Sequence, residues 1–73
     1  MFHKLRNIRQ ANKISQKEMA SIIGISLSSY SDKELGHEDF RYGEMLKLAN
    51  HFGVTLNDLF WESDKELEAE IYV

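Results

Sequence analysis

Ser26, Ser28, Ser29 and Ser31 crowd one short stretch of the chain and are its densest set of side chains able to do chemistry. Nucleophilic catalysis would need one of them on a strained strand-to-helix turn with a base in reach, and no such elbow pattern surrounds any of the four. Capping a helix and bonding to nearby backbone suits their spacing better. His3, His37 and His51 lie far apart and show no pairing of the H-x-x-x-H kind that metal sites use. His37-Glu38-Asp39 could touch a cation, but the run reads better as a solvated polar turn. Cysteine is absent, which excludes disulfides and thiolate metal sites and suits a reducing compartment. No enzymatic activity, cofactor or metal is expected from these residues.

Charge narrows the field further. The net charge of −3 is unevenly spread. Residues 1–31 carry five cations (Lys4, Arg6, Arg9, Lys13 and Lys17) against Glu18 alone, a net of +4. Residues 62–73 carry five acids (Glu62, Asp64, Glu66, Glu68 and Glu70) against Lys65, a net of −4. A polyanion responds to a local patch, so the basic half matters more than the sum. A solvated face would also account for it. With 73 residues, of which 42% are hydrophobic, the chain suits one small globular domain whose core dimerisation would help. No apolar run nears the ~20 residues of a membrane span and no signal-peptide pattern is present, so a cytoplasmic protein is expected.

The elements that must position these residues are five short helices. The first spans about Phe2–Asn12, with Leu5, Ile8 and Ala11 on one face. Ser15 with Glu18 forms a capping-box pattern for a second helix that buries Met19, Ile22 and Ile23 and stops at Gly24. Ser26 caps a third helix running to about Leu35, closed by Gly36. A fourth, about Arg41–Phe52, has Met45, Leu46, Leu48, Ala49 and Phe52 as its apolar face. Thr55 and Asp58 open a short fifth, with Leu56, Leu59 and Phe60 inward and Phe60-Trp61 at the core edge or a dimer contact. Beyond it, Leu67, Ala69, Ile71 and Val73 alternate with Glu66, Glu68, Glu70 and Tyr72. That period suggests a strand that pairs with its copy across a two-fold axis, and a frayed helix is the rival reading, since Leu67 and Ile71 are also spaced i, i+4.

Two helices joined by a short glycine-containing turn are the geometry that sets a second helix in the major groove. Ala20 is small where the two must cross, and Ile25 is apolar where the turn must plug the core. The runs ISQKEMASIIGISLSSYSDKELG and MLKLANHFGVTLNDLF together resemble the Cro/phage-repressor-type helix-turn-helix regulators of bacteria and phages. The resemblance covers about residues 5–60 and rests on Ser15-Gln16, Ala20, Gly24, Ser26, Tyr30-Ser31, Glu34 and Gly36. Leu48-Ala49, Phe52-Gly53-Val54 and Asp58-Leu59 extend it.

The resemblance implies an all-α, five-helix lambda-repressor-like domain at 1–61, followed by an acidic tail at 62–73 that is a candidate dimerisation segment. It implies a transcriptional regulator that binds double-stranded DNA as a homodimer, with residues 26–35 as recognition helix. Gln16 falls where the family bonds a phosphate at a helix N-terminus, and Lys17 follows it. Leu27, Ser28, Ser31 and Asp32 fall where the family faces base edges and flanking phosphates, with Ser26 and Ser29 as cap and backbone contacts. Lys33 stands where a core residue is common and is expected to lay its stem over the core and present its amine outward. Glu34 matches a structural glutamate whose arginine partner would be Arg6 or Arg9. Leu27, Asp32 and Leu35 depart from the arginine, lysine or glutamine often found there. Leucine can touch a thymine methyl and Asp32 can accept from a cytosine amino group, but phosphates repel it. The alternative is a protein-interaction module, such as an anti-repressor, that uses the same fold to hold a regulatory protein partner.

Overall fold

The computed structural model describes residues 1–61, which form five α-helices in the expected order. These are α1 (His3–Ala11), α2 (Gln16–Ile23), α3 (Leu27–Leu35), α4 (Tyr42–Phe52) and α5 (Leu56–Phe60). No strand occurs among the described residues, and the proposed pairing strand of the tail lies outside them. None of the described helices is long and apolar enough to cross a membrane.

Local signals place the helix starts. Ser15 Oγ accepts the Glu18 amide and Ser26 Oγ accepts the Ser29 amide, each at 3.1 Å, satisfying one of the orphan donors of a first turn. At α5 the box closes both ways: Thr55 Oγ1 accepts from the Asp58 amide and Asp58 Oδ2 accepts from the Thr55 amide. Those bonds, led by the one from the Thr55 backbone, hold the Asp58 carboxyl below its ordinary range. Glu44 does the same work for α4, its Oε1 accepting the Arg41 amide at 2.9 Å.

The turn between α2 and α3 is a Schellman closure. The Ile25 amide donates to the Ala20 carbonyl and the Gly24 amide to the Ser21 carbonyl, with Gly24 at φ +74°. The same pair of bonds ends α1, from Ile14 to Arg9 and from Lys13 to Gln10. There the left-handed residue is Lys13, at φ +56°, which bears the Cβ crowding a glycine would avoid.

The core is built from Leu5 of α1, Met19, Ala20 and Ile23 of α2, Tyr30 of α3, Leu48 and Ala49 of α4, and Leu59 and Phe60 of α5. α2 packs on both α3 and α4, and α5 packs on α1 and α4. An edge-on aromatic cluster closes one side, with Phe40 within 5.4 Å of Phe2 and 5.2 Å of Phe60 between ring centroids. Trp61 packs at the edge of this core. Ile8, Ile22, Met45, Phe52 and Leu56 are half-buried against this core, whereas two expected apolar positions are exposed: Ala11, and Leu46, because α4 turns only the Leu48–Ala49 side fully inward.

Candidate nucleic-acid interface

α3 is amphipathic in an unusual sense. Its buried side holds Tyr30, Lys33 and Glu34, while Leu27 and Leu35 stand 48% and 41% exposed at its two ends. Burial of two charged residues requires partners for both, and each finds them on a different neighbour.

Glu34 is the hub. Arg9 approaches it bidentately, Nε to Oε2 at 2.9 Å and Nη2 to Oε1 at 3.0 Å. Tyr30 Oη donates to Oε2 at 2.6 Å, and Gln16 Nε2 donates to Oε1 at 3.2 Å. A third arm of Arg9, Nη1, donates to the Ile14 carbonyl just before α2. One carboxylate therefore ties α1, α2 and α3 together. Burial would push Glu34 up, but the bonds from Arg9, Tyr30 and Gln16 outweigh it and hold the carboxyl below its ordinary range. Burial also pushes the Tyr30 hydroxyl up, with Glu34 adding to it, so the phenol stays a donor. The partner left open between Arg6 and Arg9 is Arg9; Arg6 instead points its guanidinium at Met1 Sδ.

Lys33 does not present its amine outward as expected. Its Nζ donates to Glu44 Oε1 at 2.6 Å and lies 6.0 Å from the Phe40 ring centroid, with the side chain 8% exposed. The reason is local: Glu44, which also bonds the Arg41 amide at the start of α4, offers the lysine a largely buried carboxylate. Burial raises the Glu44 carboxyl, but the Lys33 bond and the Arg41 amide together hold it low.

The other expected contact residues lie on α2, on α3 and at the cap between them. Lys17, Ser26, Leu27 and Ser28 are exposed, and Gln16, Ser29, Ser31 and Asp32 are half-buried. Ser29 Oγ donates to Glu38 Oε2 at 3.1 Å, and Asp32 Oδ1 lies 3.7 Å from His37 Nδ1. Because Ser15 takes the Glu18 amide, the amides of Gln16 and Lys17 are the open donors at the positive end of α2. Tyr30 and Glu44 were not signalled by periodicity, because a buried tyrosine on a serine-rich helix and a capping glutamate leave no apolar stripe. Among the described residues, no cluster of histidines and carboxylates could hold a metal.

Two helices locked across a glycine-closed turn, the second leaving Leu27, Ser28 and Leu35 exposed, define a helix-turn-helix domain. The chain belongs to the helix-turn-helix domain family, whose sequence profile matches residues 3–65. It is 26% identical over 68 residues to the cryptic phage CTXphi transcriptional repressor RstR of Vibrio cholerae, a match that covers 93% of this chain. The chain spans 61% of the length of that curated relative. The crystal structure of the restriction-modification controller protein C.AhdI from Aeromonas hydrophila is similar with a TM-score of 0.69 at 29% identity. That likeness covers 80% of this chain and 88% of the controller.

Proposed function

We propose that the chain is a DNA-binding transcriptional regulator of the repressor kind, which sets α3 in the major groove of an operator. The observation that carries this reading is the uncovered face of α3 beside the open amides of α2, on a family scaffold shared with a transcriptional repressor and a controller protein. Gln16, Lys17 and the first-turn amides of α2 hold a phosphate, which sets position but not sequence. Leu27, Ser28, Ser31 and Asp32 meet base edges, and Ser26 and Ser29 order the start of the helix. Lys33 acts through Glu44 and holds α3 against α4. A homodimer places two copies of α3 in successive major grooves about 34 Å apart, on a pseudo-palindromic site. The acidic segment 62–73 serves that dimer.

Selection of bound fragments from random duplex DNA tests the reading. A shared half-site motif is expected, with log K falling steeply as log salt rises. Lys17→Ala weakens binding to all sequences alike, whereas Ser28→Ala and Asp32→Ala alter the selected motif. A specific observation favours a second reading, the protein-interaction module: Lys33 is spent on Glu44, and Asp32 and Glu38 leave acid near the reading face. No enriched motif and a flat salt response, with a regulatory protein captured instead, would decide for it.

A further inference from the structure

We infer that Glu34, buried inside the domain, is a positioning residue for DNA: it turns the carboxamide of Gln16 so that a donor, and not an acceptor, faces a phosphate at the start of α2. This rests on the proposed role of α2 in holding the DNA backbone.

A glutamine side chain ends in an acceptor and a two-hydrogen donor of nearly the same shape, and a phosphate oxygen can only accept. A freely turning carboxamide would present the repelling oxygen part of the time. Glu34 removes that freedom. Its ionised carboxylate also only accepts, so the group it takes from Gln16 is Nε2, at 3.2 Å. One N–H is engaged there and the second remains on the same nitrogen. Gln16 is the first residue of α2, so this donor belongs to the same positive end as the open amides of Gln16 and Lys17.

Bringing a phosphate near a buried carboxylate would be repulsive if that carboxylate were bare. It is not, because Arg9 neutralises it through two bonds and Tyr30 adds a third. Arg9 is itself fastened to the Ile14 carbonyl, one residue before the cap of α2, so the charge and the helix start are held as one unit. Among the described residues, no buried side-chain nitrogen or oxygen lacks a partner. The bond to Glu34 is thus the contact that fixes which end of the half-buried Gln16 carboxamide faces the carboxylate.

A double-mutant cycle on the full chain tests this, with a short duplex of random sequence as probe. Gln16→Ala in the parent is expected to weaken binding about tenfold, the worth of one charge-assisted bond of about 1.4 kcal/mol. In a Glu34→Gln background, where the amide at 34 no longer demands a donor, the same substitution is expected to cost less than about twofold. The charge lost at 34 is common to both arms and cancels. Equal losses in the two backgrounds overturn the inference while leaving Gln16 as a phosphate contact. No loss from Gln16→Ala in either background overturns both. Should Glu34→Gln fail to fold, the parent decides by nuclear magnetic resonance of the Gln16 side-chain amide. One of its two Nε2 protons is expected to shift on adding duplex while the other, held by Glu34, stays; movement of both overturns the inference. A parent that binds no duplex at all sinks the DNA reading itself, and the absence of a Glu34-linked acid shift in those amide protons then separately rejects the contact.

Discussion

Lys33 and Glu34 are neighbours in the chain, both buried, both paired with an opposite charge, and they do different work. Glu34 accepts four hydrogen bonds from three residues on three helices. Lys33 makes one, to Glu44 at the start of α4, and holds its Nζ 6.0 Å from the Phe40 ring centroid. Desolvating a charge is repaid only where geometry and further bonds compensate it. Glu34 meets that condition with four bonds, whereas Lys33, whose partner Glu44 is about as buried as Arg9, meets it with one. The comparison separates a hub that defines the domain from a strap that aligns one helix with the next.

The strongest way to break the distinction is Glu34→Ala. It strands the guanidinium of Arg9, whose side chain is 11% exposed, and the hydroxyl of the fully buried Tyr30. Removing one member of a buried pair costs about 3–5 kcal/mol, a large share of the about 5–15 kcal/mol that holds a domain together. The expected result in thermal denaturation followed by circular dichroism is a chain unfolded, or nearly so, at room temperature. A cooperative melt close to that of the parent would show that the hub is incidental.

A gentler change sharpens the same point through acid. Tyr30→Phe keeps the ring in the core and deletes the 2.6 Å bond to Glu34, with an expected cost of about 2 kcal/mol for a bond to a charged group. Glu34 has a folded pKa below its ordinary 4.5, so its stabilisation is complete above that value and is lost as pH falls through the folded one. Tyr30→Phe removes a bond that favours the ionised form, and the folded pKa of Glu34 rises towards ordinary. The stability gap between parent and variant is therefore widest above pH 4.5 and narrows below it. Glu44, also held low, loses its contribution in the same window, but equally in both proteins, and cancels in the difference. A gap that does not change with pH would separate Tyr30 from the charge of Glu34.

The starts of α2, α3 and α5 and the stops of α2, α3 and α4 were legible in the sequence because their causes are local: a serine or threonine oxygen reaches an amide three residues on, and Gly24, Gly36 and Gly53 take positive φ. The apolar faces of α2 and α5 were legible for the most part by periodicity. α3 was not, since its charged residues face in and two of its leucines face out, which inverts the rule that periodicity relies on. The partner of Glu34 was narrowed to two arginines one turn apart on α1, and only the crossing of α1 with α3 decides between them. Lys33 was read by its own type, whereas its position is set by Glu44, eleven residues away and engaged first as the cap of another helix. Contacts between elements, unlike caps, have no spacing to read. The tail at 62–73 lies outside the described residues, and its pairing remains a proposal.

The smallest effect, and the sharpest test of the strap, is Lys33→Met. Methionine fills the volume of the lysine stem, so what is removed is the charged tip, with its 2.6 Å bond and its place near the Phe40 ring. Glu44 is not left bare by the change, because it still accepts the Arg41 amide. One partner of the pair stays behind with the Arg41 amide still bonded to it, so the expected loss in unfolding free energy is about 1 kcal/mol, the net worth of a single bond and not of a bare buried charge. The Glu44 carboxyl should rise towards its ordinary range at the same time, since the first bond that holds it low is gone. Chemical denaturation gives the first quantity and carbon-detected titration of the Glu44 carboxyl the second. A loss as large as that of Glu34→Ala would make Lys33 a second hub and erase the difference between the two neighbours.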